Sequence, residues 1–367
     1  MKILWFTWKD LTHPQAGGAE RINEEITRRL VQEGYEVILV VGGYEGGEPE
    51  SSQDGYRIIR LGNRYTVYYQ AFRYYQRHLK GWADLVIDEM NTIPFFCKFY
   101  VQEPNVLLAY QLCREVWFFQ MPFPFSVIGY AIEPLYLFLL RDRKVITESE
   151  STEKDLIRYG FKRDNIHIIP IGVKGKPLNS LANATKFEQP TLLSLGMLRA
   201  MKRTIDQIEA FELAKKEIKD LQLIIAGAKN DRYGDRVLKR INQSSFASDI
   251  HYQGCVNEAT KIELLRRSHI ILVTSIKEGW GLIVTEANQQ GTPAVVYNVD
   301  GLRDSVIEGQ TGWVTKENTP KDLAKLIEKA LTTSQGYKET QKNAWDWGRA
   351  FNYDACYKAF IEAIKIT

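Results

Sequence analysis

The sequence has few cysteines and none of the spacings that build metal or disulfide frameworks. Cys97, Cys113, Cys255 and Cys356 lie far apart among 367 residues, and no two of them form a C-x-x-C pair. Zinc ribbons and disulfide-built miniproteins depend on closely spaced cysteines, so neither class is indicated. We expect free thiols in a reducing compartment, and therefore a cytoplasmic protein.

The chain also lacks a marked excess of charge and an uninterrupted apolar run. Its 48 Lys and Arg side chains against 45 Asp and Glu leave a net charge of +3, too little to indicate a general nucleic-acid binder. The most apolar stretch, Pro122–Leu140, contains three prolines and Glu133. Because this density of prolines and charge disfavours a membrane-spanning helix, we expect a buried helix or one that touches a membrane surface.

The predominant pattern is an alternation of short β-branched runs with amphipathic helical runs. It begins with a predicted strand at Lys2–Phe6 and a helix at Gly17–Glu33, and it restarts with a strand at Thr191–Leu195. Such alternation indicates parallel sheets with helices on both faces. Between the halves, a segment rich in Gly, Pro, Asn and Lys is typical of a hinge. We predict an α/β protein of two doubly wound domains, residues 1–172 and 173–345, with ligands at the carboxyl ends of the strands.

Two turns at predicted strand ends offer groups that suit an anionic ligand. In the first, Gly17 and Gly18 precede a helix, whose N-terminus presents backbone N–H groups and a positive dipole. In the second, Arg199, Lys202 and Arg203 follow a strand closely, and such cations can offset the charge of a diphosphate. Taken alone, the glycines are also consistent with a simple tight turn, and the cations with an exposed basic loop.

The most informative segment, Glu278–Glu286, follows an apolar strand and opens a helix. It contains two glycines, and its terminal carboxylates are eight residues apart. Carboxylates accept hydrogen bonds from hydroxyls but not from ionised phosphates. The arrangement therefore suits a ligand with hydroxyls at two ends and phosphates between them, such as a nucleotide sugar. The alternative is a pair of solvated glutamates, which the glycines and the strand–helix context disfavour.

The E-x7-E spacing of this segment resembles the signature of retaining glycosyltransferases of family 4. These enzymes have the GT-B fold, in which two Rossmann-like domains face a cleft. The resemblance covers nearly the whole chain, and it implies that a C-terminal helix, residues 346–367 with its core near Tyr353–Ile366, packs back on the first domain. Its further motifs occur in the expected order: Gly17-Gly18-Ala19-Glu20, Gly196 to Lys202, Gly254-Cys255-Val256, Gly291-Thr292-Pro293-Ala294 and Gly309-Gln310-Thr311-Gly312.

The resemblance implies a role for each matching residue. Lys202 would bind the diphosphate, Glu278 the sugar hydroxyls and Glu286 the ribose hydroxyls. The catalytic residues expected on this basis are Glu278, Lys202 and Arg199. The donor-binding residues expected are Gly17, Gly18, Gly196, Gly227, Val256, Gly279, Trp280, Gly281, Leu282 and Glu286, with the backbone around Val256 holding the uracil.

The sequence departs from the family pattern at two places. Met197 stands where the family often has Arg, and Arg199 is the nearest substitute. Many members also have a His in the first domain near the reacting sugar, but the matching neighbourhood, Tyr110–Glu115, has none. Gln111 and Arg114 therefore become the candidates for sugar or acceptor contact. The five histidines are expected to have packing or surface roles.

The sequence also lacks the D-x-D motif of many metal-using glycosyltransferases. Mg²⁺ requires oxygen ligands, and no carboxylate pair accompanies the expected diphosphate site. We therefore expect no metal and no cofactor, with cations and helix dipoles in their place. A dinucleotide-dependent dehydrogenase is disfavoured because no G-x-G-x-x-G follows either leading strand. A nucleotide-sugar epimerase and a non-catalytic sugar-nucleotide sensor remain as alternatives.

The acceptor is suggested by two aromatic segments. Arg64–Lys80 is rich in Tyr, Phe, Arg and Lys, so it could rest at a membrane interface or pack on the sheet as an ordinary amphipathic helix. With Trp117–Leu140 nearby in sequence, we expect a polysaccharide or lipid-linked acceptor and peripheral contact with the inner membrane face. The chain also resembles bacterial surface-polysaccharide glucosyltransferases, which makes UDP-glucose the expected donor.

Overall fold

The structure is a computed structural model that describes residues 1–229, 231–332 and 334–365. These residues form two compact units. Unit 1 comprises Met1–Gly172 together with the segment from Asn352 onward, and unit 2 comprises Val173–Phe351. Each unit contains one sheet with helices packed against it.

The sheet of unit 1 has eight strands in the order β3-β4-β2-β1-β5-β6-β7-β8. Neighbouring strands are parallel except for β3 and β4, which form an antiparallel pair at one edge. The strands are β1 (Lys2–Phe6), β2 (Glu36–Gly42), β3 (Glu50–Gln53), β4 (Tyr56–Leu61), β5 (Leu85–Met90), β6 (Asn105–Ala109), β7 (Val145–Thr147) and β8 (Ile166–Ile168).

The sheet of unit 2 has six strands in the order β11-β10-β9-β12-β13-β14, and all of its neighbouring strands are parallel. These strands are β9 (Thr191–Leu195), β10 (Gln222–Ala226), β11 (Ile250–Gly254), β12 (Ile270–Val273), β13 (Ala294–Val296) and β14 (Gly312–Val314). Since parallel strands end at the same edge of a sheet, the turns that follow β9 to β13 lie side by side.

Helices cover the sheets of both units. They are α1 (Gly18–Gln32), α2 (Val67–Tyr74), α3 (Trp117–Gln120), α4 (Phe125–Leu140), α5 (Glu150–Arg158), α6 (Thr204–Lys215), α7 (Arg232–Asn242), α8 (Glu258–Arg267), α9 (Leu282–Gln289), α10 (Pro320–Thr332), α11 (Ser334–Gly348) and α12 (Tyr353–Lys365). A short π-helical turn, Tyr75–Leu79, continues α2.

The sequence pattern explains the central strands and the first helix. Ile3–Phe6 is fully buried, as expected for a strand with helices on both faces of its sheet. On α1, Ile22, Ile26 and Leu30 recur every four residues and are buried, so they form the face that packs on the sheet. Gly34, with φ of +86°, ends this helix in a left-handed conformation that glycine adopts without strain.

The C-terminal helix α12 belongs to unit 1. The ring of Phe360 on α12 stacks on the ring of Trp5 in β1, with 5.7 Å between centroids. Arg29 of α1 also pairs with Asp354, at 2.9 Å. The segment expected to pack on the first domain was 346–367, but residues 346–351 belong to unit 2, and residues 366 and 367 lie outside the described residues.

Helix α4 occupies most of the apolar stretch Pro122–Leu140. Glu133, its one charged residue, is buried and accepts backbone hydrogen bonds from Cys113 and Arg114, each at 2.7 Å. The opposite face of α4 is exposed and apolar. Among the described residues, no helix combines the length and the apolar character that a membrane span requires.

Candidate functional site

Three glycine turns line the carboxyl edge of the sheet in unit 2. The N–H of Gly196, after β9, donates to the carbonyl of Ala226, at 2.9 Å. The N–H of Gly227, after β10, donates to the carbonyl of Gly254, at 2.7 Å. A Cβ on Gly227 would lie 1.8 Å from the carbonyl oxygen of Gly196, so this close approach of two turns requires glycine. The turns therefore present bare backbone at the edge where ligands of such sheets bind.

The basic turn after β9 is fastened to the loop after β12. The Thr274 hydroxyl donates to the carbonyl of Lys202 at 2.8 Å, and the N–H of Ile276 donates to the carbonyl of Met201 at 2.9 Å. Gln207 of α6 in turn donates to the Thr274 hydroxyl, at 2.8 Å. These bonds place Lys202, in the turn after β9, beside Glu278, in the loop after β12.

Lys202 and Glu278 form an ion pair at this junction. The same oxygen of Glu278 accepts a hydrogen bond from the Ser275 hydroxyl, at 2.6 Å. Both charged side chains are partly exposed. A lysine ammonium has three donors, so Lys202 can keep Glu278 and still contact a phosphate oxygen. The pair thus combines a cation and an acceptor of hydroxyl hydrogen bonds in one place.

Glu286 is held by a second lysine. It lies on the second turn of α9, and its carboxylate contacts the ammonium of Lys261 on α8 at 2.8 Å. Sequence reasoning missed Lys261. The available signal was its place on the helix that follows the Gly254–Val256 turn, which put a cation near that end of the predicted site.

The start of α9 is shaped by close packing around the glycines of the E-x7-E segment. Gly281 directly precedes Leu282, the first residue of the helix, and a Cβ on it would lie 2.5 Å from the Ser305 hydroxyl. A Cβ on Gly301 would lie 2.8 Å from the carbonyl carbon of Gly279. The Trp280 indole N–H donates to the Thr285 hydroxyl at 2.8 Å, which fixes the ring over the first turn of the helix.

The other predicted residues of unit 2 have distinct surroundings. Val256 packs against the hydrophobic cluster below the turn. The Nε of Arg199 donates to the sulfur of Met197 at 2.8 Å. Arg199 therefore contacts the methionine that stands where the family often has arginine. The structure thus pairs Lys202 with Glu278 and places Lys202 and Gly196 in the wall of one small pocket, whereas Arg199 lies with Met197.

In unit 1, the glycine turn after β1 contains its own carboxylate. The N–H of Gly17 donates to Glu20 at 2.6 Å, and Gly18 begins α1. Glu20 is buried and pairs with Lys9 at 3.2 Å. Sequence reasoning missed Lys9, although it follows β1 by only a few residues. Lys9 offsets the negative charge of Glu20. The carboxylate therefore does not cancel the positive dipole at the N-terminus of α1.

The two candidates for acceptor contact differ in their bonding. Arg114 is engaged by α4: its guanidinium donates to the carbonyl of Tyr130 at 3.2 Å and lies over the Tyr130 ring, 4.1 Å from its centroid. The side-chain oxygen of Gln111 is buried and has no hydrogen-bond partner within the described part of the chain. Gln111 therefore keeps an acceptor that a ligand hydroxyl could satisfy.

Two buried carboxyl groups at the ends of β5 and β7 were not predicted. Glu89 accepts hydrogen bonds from the Trp5 indole at 2.9 Å, from Asn23 at 2.7 Å and from Asn91 at 2.6 Å. Burial, and next the charge of Glu20, raises the pKa of Glu89 to about 7. Burial, and next the charge of Glu89, raises the pKa of Glu148. Their positions at or just after predicted strands were the only signal in the sequence.

Two family models together match most of the chain. The Glycosyl transferase 4-like domain matches residues 17–172, and the Glycosyl transferases group 1 model matches residues 179–347. The chain belongs to the family 4 type of glycosyltransferase. This confirms the family that was predicted from the E-x7-E segment and the ordered glycine motifs.

Curated relatives of this glycosyltransferase are distant. An uncharacterized glycosyltransferase from Haemophilus influenzae is 23% identical over 360 residues, which are 95% of this chain and 96% of that protein. A trehalose synthase from Pyrococcus horikoshii is 28% identical over 150 residues, or 39% of this chain. The match spans only 35% of the length of that trehalose synthase.

Solved structures show the fold of the glycosyltransferase. Sucrose-phosphate synthase from Thermosynechococcus elongatus has a TM-score of 0.77 and 17% identity, over 99% of this chain and 98% of that one. HepE from Anabaena, solved with UDP and glucose, has a TM-score of 0.72 and 16% identity, with both chains fully covered. The predicted GT-B fold class, with two Rossmann-like α/β domains, is confirmed.

Proposed function

We propose that this glycosyltransferase moves a sugar, with glucose as the first candidate, from a UDP-sugar to a glycan or lipid-linked acceptor with retention of configuration. The observation that carries the proposal is the pairing of Lys202 with Glu278 beside the glycine turns of unit 2. This arrangement supplies a phosphate-binding cation and a hydroxyl-binding carboxylate at one edge of a parallel sheet. The complexes of HepE with UDP and glucose support a nucleotide-sugar donor for a chain of this fold.

In the proposed reaction, unit 2 stabilises the leaving group. As the bond between sugar and diphosphate breaks, negative charge grows on the diphosphate, and only contacts that strengthen in the transition state accelerate this step. Lys202 is the nearest cation to the carboxylate that would bind the sugar, and the N-terminus of α9 adds a positive dipole. Arg199 is the second cation, although it rests on Met197.

The same unit would hold the rest of the nucleotide. Glu286 would accept hydrogen bonds from the ribose hydroxyls, and Lys261 would keep its carboxylate in place. The backbone of the Gly254–Val256 turn would contact the uracil. We propose that no metal takes part, since cations and helix termini can carry the charge of the diphosphate.

The acceptor would bind through unit 1. Gln111 supports this assignment because its buried oxygen has no hydrogen-bond partner among the described residues. Arg114 is the weaker candidate because Tyr130 and Glu133 already engage it. A lipid-linked acceptor lies at a membrane surface, so this part of the proposal requires unit 1 to reach the inner face of a membrane.

The test is the release of UDP from UDP-glucose by purified protein in the presence of a panel of glycan and lipid-linked acceptors, with and without EDTA. We expect release to survive EDTA, and Lys202→Ala to lower the rate about 10²–10³-fold, the usual cost of removing one such electrostatic contact. Lys239→Ala is the matched control, because Lys239 is an exposed lysine on α7 of the same unit. Activity that EDTA abolishes and Mg²⁺ restores, with Lys202→Ala near wild type, would assign the leaving group to a metal.

Binding of UDP-glucose without any release of UDP would contradict transfer. That result, obtained across a panel of glycan and lipid-linked acceptors, would indicate a sensor of sugar nucleotides.

A further inference from the structure

Helix α4 has an exposed face without a charged residue. Phe125, Ile128, Ile132, Leu135 and Leu139 follow one another at helical spacing, and each is between 44% and 59% exposed. Surface helices of soluble proteins normally expose their polar side and bury the apolar one. In α4 both sides are apolar: Leu137 and Leu140 are buried in the core, and the only carboxylate also turns inward, to backbone N–H groups.

The apolar surface continues from α4 to α2. Lys98 links the segment after β5 to the end of α4, since its ammonium donates to the carbonyl of Leu139 at 2.7 Å. Phe99, beside it, is exposed. Tyr100 then joins this segment to α2, with its ring 5.0 Å from the ring of Phe72. We call this continuous surface, made by α2, residues 98–99 and the exposed side of α4, the α2–α4 face.

Cations cover several exposed aromatic rings of this region. Arg141 lies 3.6 Å from the ring centroid of Phe138, and Arg73 lies 5.7 Å from that of Tyr69. Lys98 lies 5.8 Å from the ring centroid of Phe99. Aromatic rings paired with Lys and Arg are typical of the level at which lipid headgroups meet acyl chains.

Cations outnumber carboxylates at the α2–α4 face, although Lys98 pairs there with the exposed carboxylate of Asp142. The segment Arg64–Lys80 carries four Arg and Lys side chains and no Asp or Glu. The partner must therefore be apolar at its centre and negatively charged at its rim. A second copy of the chain would bring the same cations against each other, whereas an anionic bilayer meets both requirements.

We propose that the α2–α4 face docks on an anionic lipid bilayer. The α4 stripe lies among the upper parts of the acyl chains, and Arg73 on α2 and Arg141 at the end of α4 contact headgroup phosphates. This proposal deepens the proposed function, because it names the surface of unit 1 that reaches the membrane, but it does not depend on the identity of the sugar donor.

The test is co-sedimentation of the full chain with phosphatidylcholine vesicles, with or without phosphatidylglycerol. We expect binding to the phosphatidylglycerol vesicles, and weaker binding as salt is raised, because the attraction to headgroups is screened. The double variant Ile132→Gln/Leu135→Gln should lose about tenfold in affinity, since two apolar side chains no longer enter the bilayer. Ile157→Gln is the matched control, because Ile157 is an exposed apolar residue on α5 of the same unit.

Folding and activity are measured beside binding. The double variant should keep the unfolding temperature of wild type and its release of UDP in the absence of vesicles, because its two side chains are exposed. Equal vesicle binding by wild type and the double variant, or no binding by wild type, overturns the proposal. A dimeric wild type and a monomeric double variant in light scattering, with vesicle binding unchanged, would assign the face to contact between copies instead.

Discussion

At the scale of single residues, both carboxylates of the E-x7-E segment are held by lysines from other parts of unit 2. Lys202 lies 76 residues from Glu278, and Lys261 lies 25 residues from Glu286. The glutamates could be singled out from the sequence because their spacing and the glycines between them form a local motif. The lysine partners could not be assigned to them, because the fold and not local spacing brings each pair together.

The two glutamates are expected to differ in what they bind. Glu286→Gln should weaken binding of plain UDP, because a ribose hydroxyl loses a charged acceptor, at a cost of roughly 1.5–3 kcal/mol. Glu278→Gln should leave UDP affinity near wild type and impair binding and turnover of UDP-glucose. Calorimetric titration of each variant with UDP and with UDP-glucose measures the difference. Equal loss of UDP affinity in both variants would contradict the two-ended arrangement.

Lys261 is expected to act through Glu286. In Lys261→Met the carboxylate of Glu286 loses the ammonium at 2.8 Å that helps to orient it, so we expect UDP affinity to fall by about 1 kcal/mol. The effect should vanish when Glu286 is already Gln, which a double-mutant cycle tests. Additive losses from the two substitutions would show that Lys261 contacts the nucleotide independently.

Glu89 should make the stability of the protein depend on pH. Its pKa is about 7 in the folded protein, against the usual 4.5. The folded state therefore binds the proton more tightly, and the associated stability is present below about pH 4.5 and is lost as the pH rises through 7.

Between pH 5 and pH 8 the wild type should lose roughly 2–3 kcal/mol more of its free energy of unfolding than Glu89→Gln does. Urea denaturation at both pH values measures this difference. Glu362→Gln, at an exposed position on α12, should behave as wild type. A pH dependence unchanged in Glu89→Gln would show that the group is ionised in the folded state.

At the scale of elements, predictions were accurate where a buried run repeats at a clear period. The strands Lys2–Phe6 and Thr191–Leu195 have the bounds that were predicted, and the helix expected at Gly17–Glu33 spans Gly18–Gln32. Helix α5 was not predicted, since its sequence is mostly polar. The structure shows its start signal in Ser149, whose hydroxyl accepts the N–H of Thr152 at 3.2 Å.

The exposure of α4 illustrates a different limit. Its apolar composition is evident in the sequence, but composition does not say which side faces the protein. The side is set by Glu133, whose partners Cys113 and Arg114 lie about twenty residues away. An expectation of either a buried or a membrane-touching helix was therefore all that the sequence could support.

Lys186 fastens the segment before β9 to two helices of unit 2. Its buried ammonium donates to the carbonyls of Arg266, Ser268 and Gly291 and to the hydroxyl of Thr292, at 2.6–3.0 Å. Burial lowers the pKa of Lys186, but the four oxygen acceptors favour its charged form.

Removal of this anchor should destabilise unit 2. We expect Lys186→Met to lower its free energy of unfolding by about 3 kcal/mol, because buried carbonyls near the ends of α8 and α9 would lose their donor. Lys174→Met, at an exposed position earlier in the same segment, is the control and should have little effect. Chemical denaturation compares the two variants, and equal stability would show that water replaces the ammonium.

At the scale of the whole molecule, the family could be predicted because its motifs occur in order along almost the entire chain. The net charge of +3, in contrast, conceals the basic character of the α2–α4 face, since acidic residues elsewhere balance it. Recognition of a nucleotide by the turns of unit 2 could therefore be expected from the sequence, whereas contact with a bilayer depends on how unit 1 folds.

Unit 2 is expected to discriminate between nucleotide bases. The Gly254–Val256 turn offers backbone groups to a small base, so UDP and UDP-glucose should stabilise the protein more than GDP-mannose does. A ligand at 100 times its dissociation constant adds about 2.7 kcal/mol to the free energy of unfolding. Thermal denaturation with each nucleotide measures the shift, and if the units unfold separately only the transition of unit 2 should move. In Glu286→Gln the rise in unfolding temperature caused by UDP should be smaller, which would assign that rise to nucleotide bound at this site. Equal or larger stabilisation by GDP-mannose would overturn the assignment of uridine.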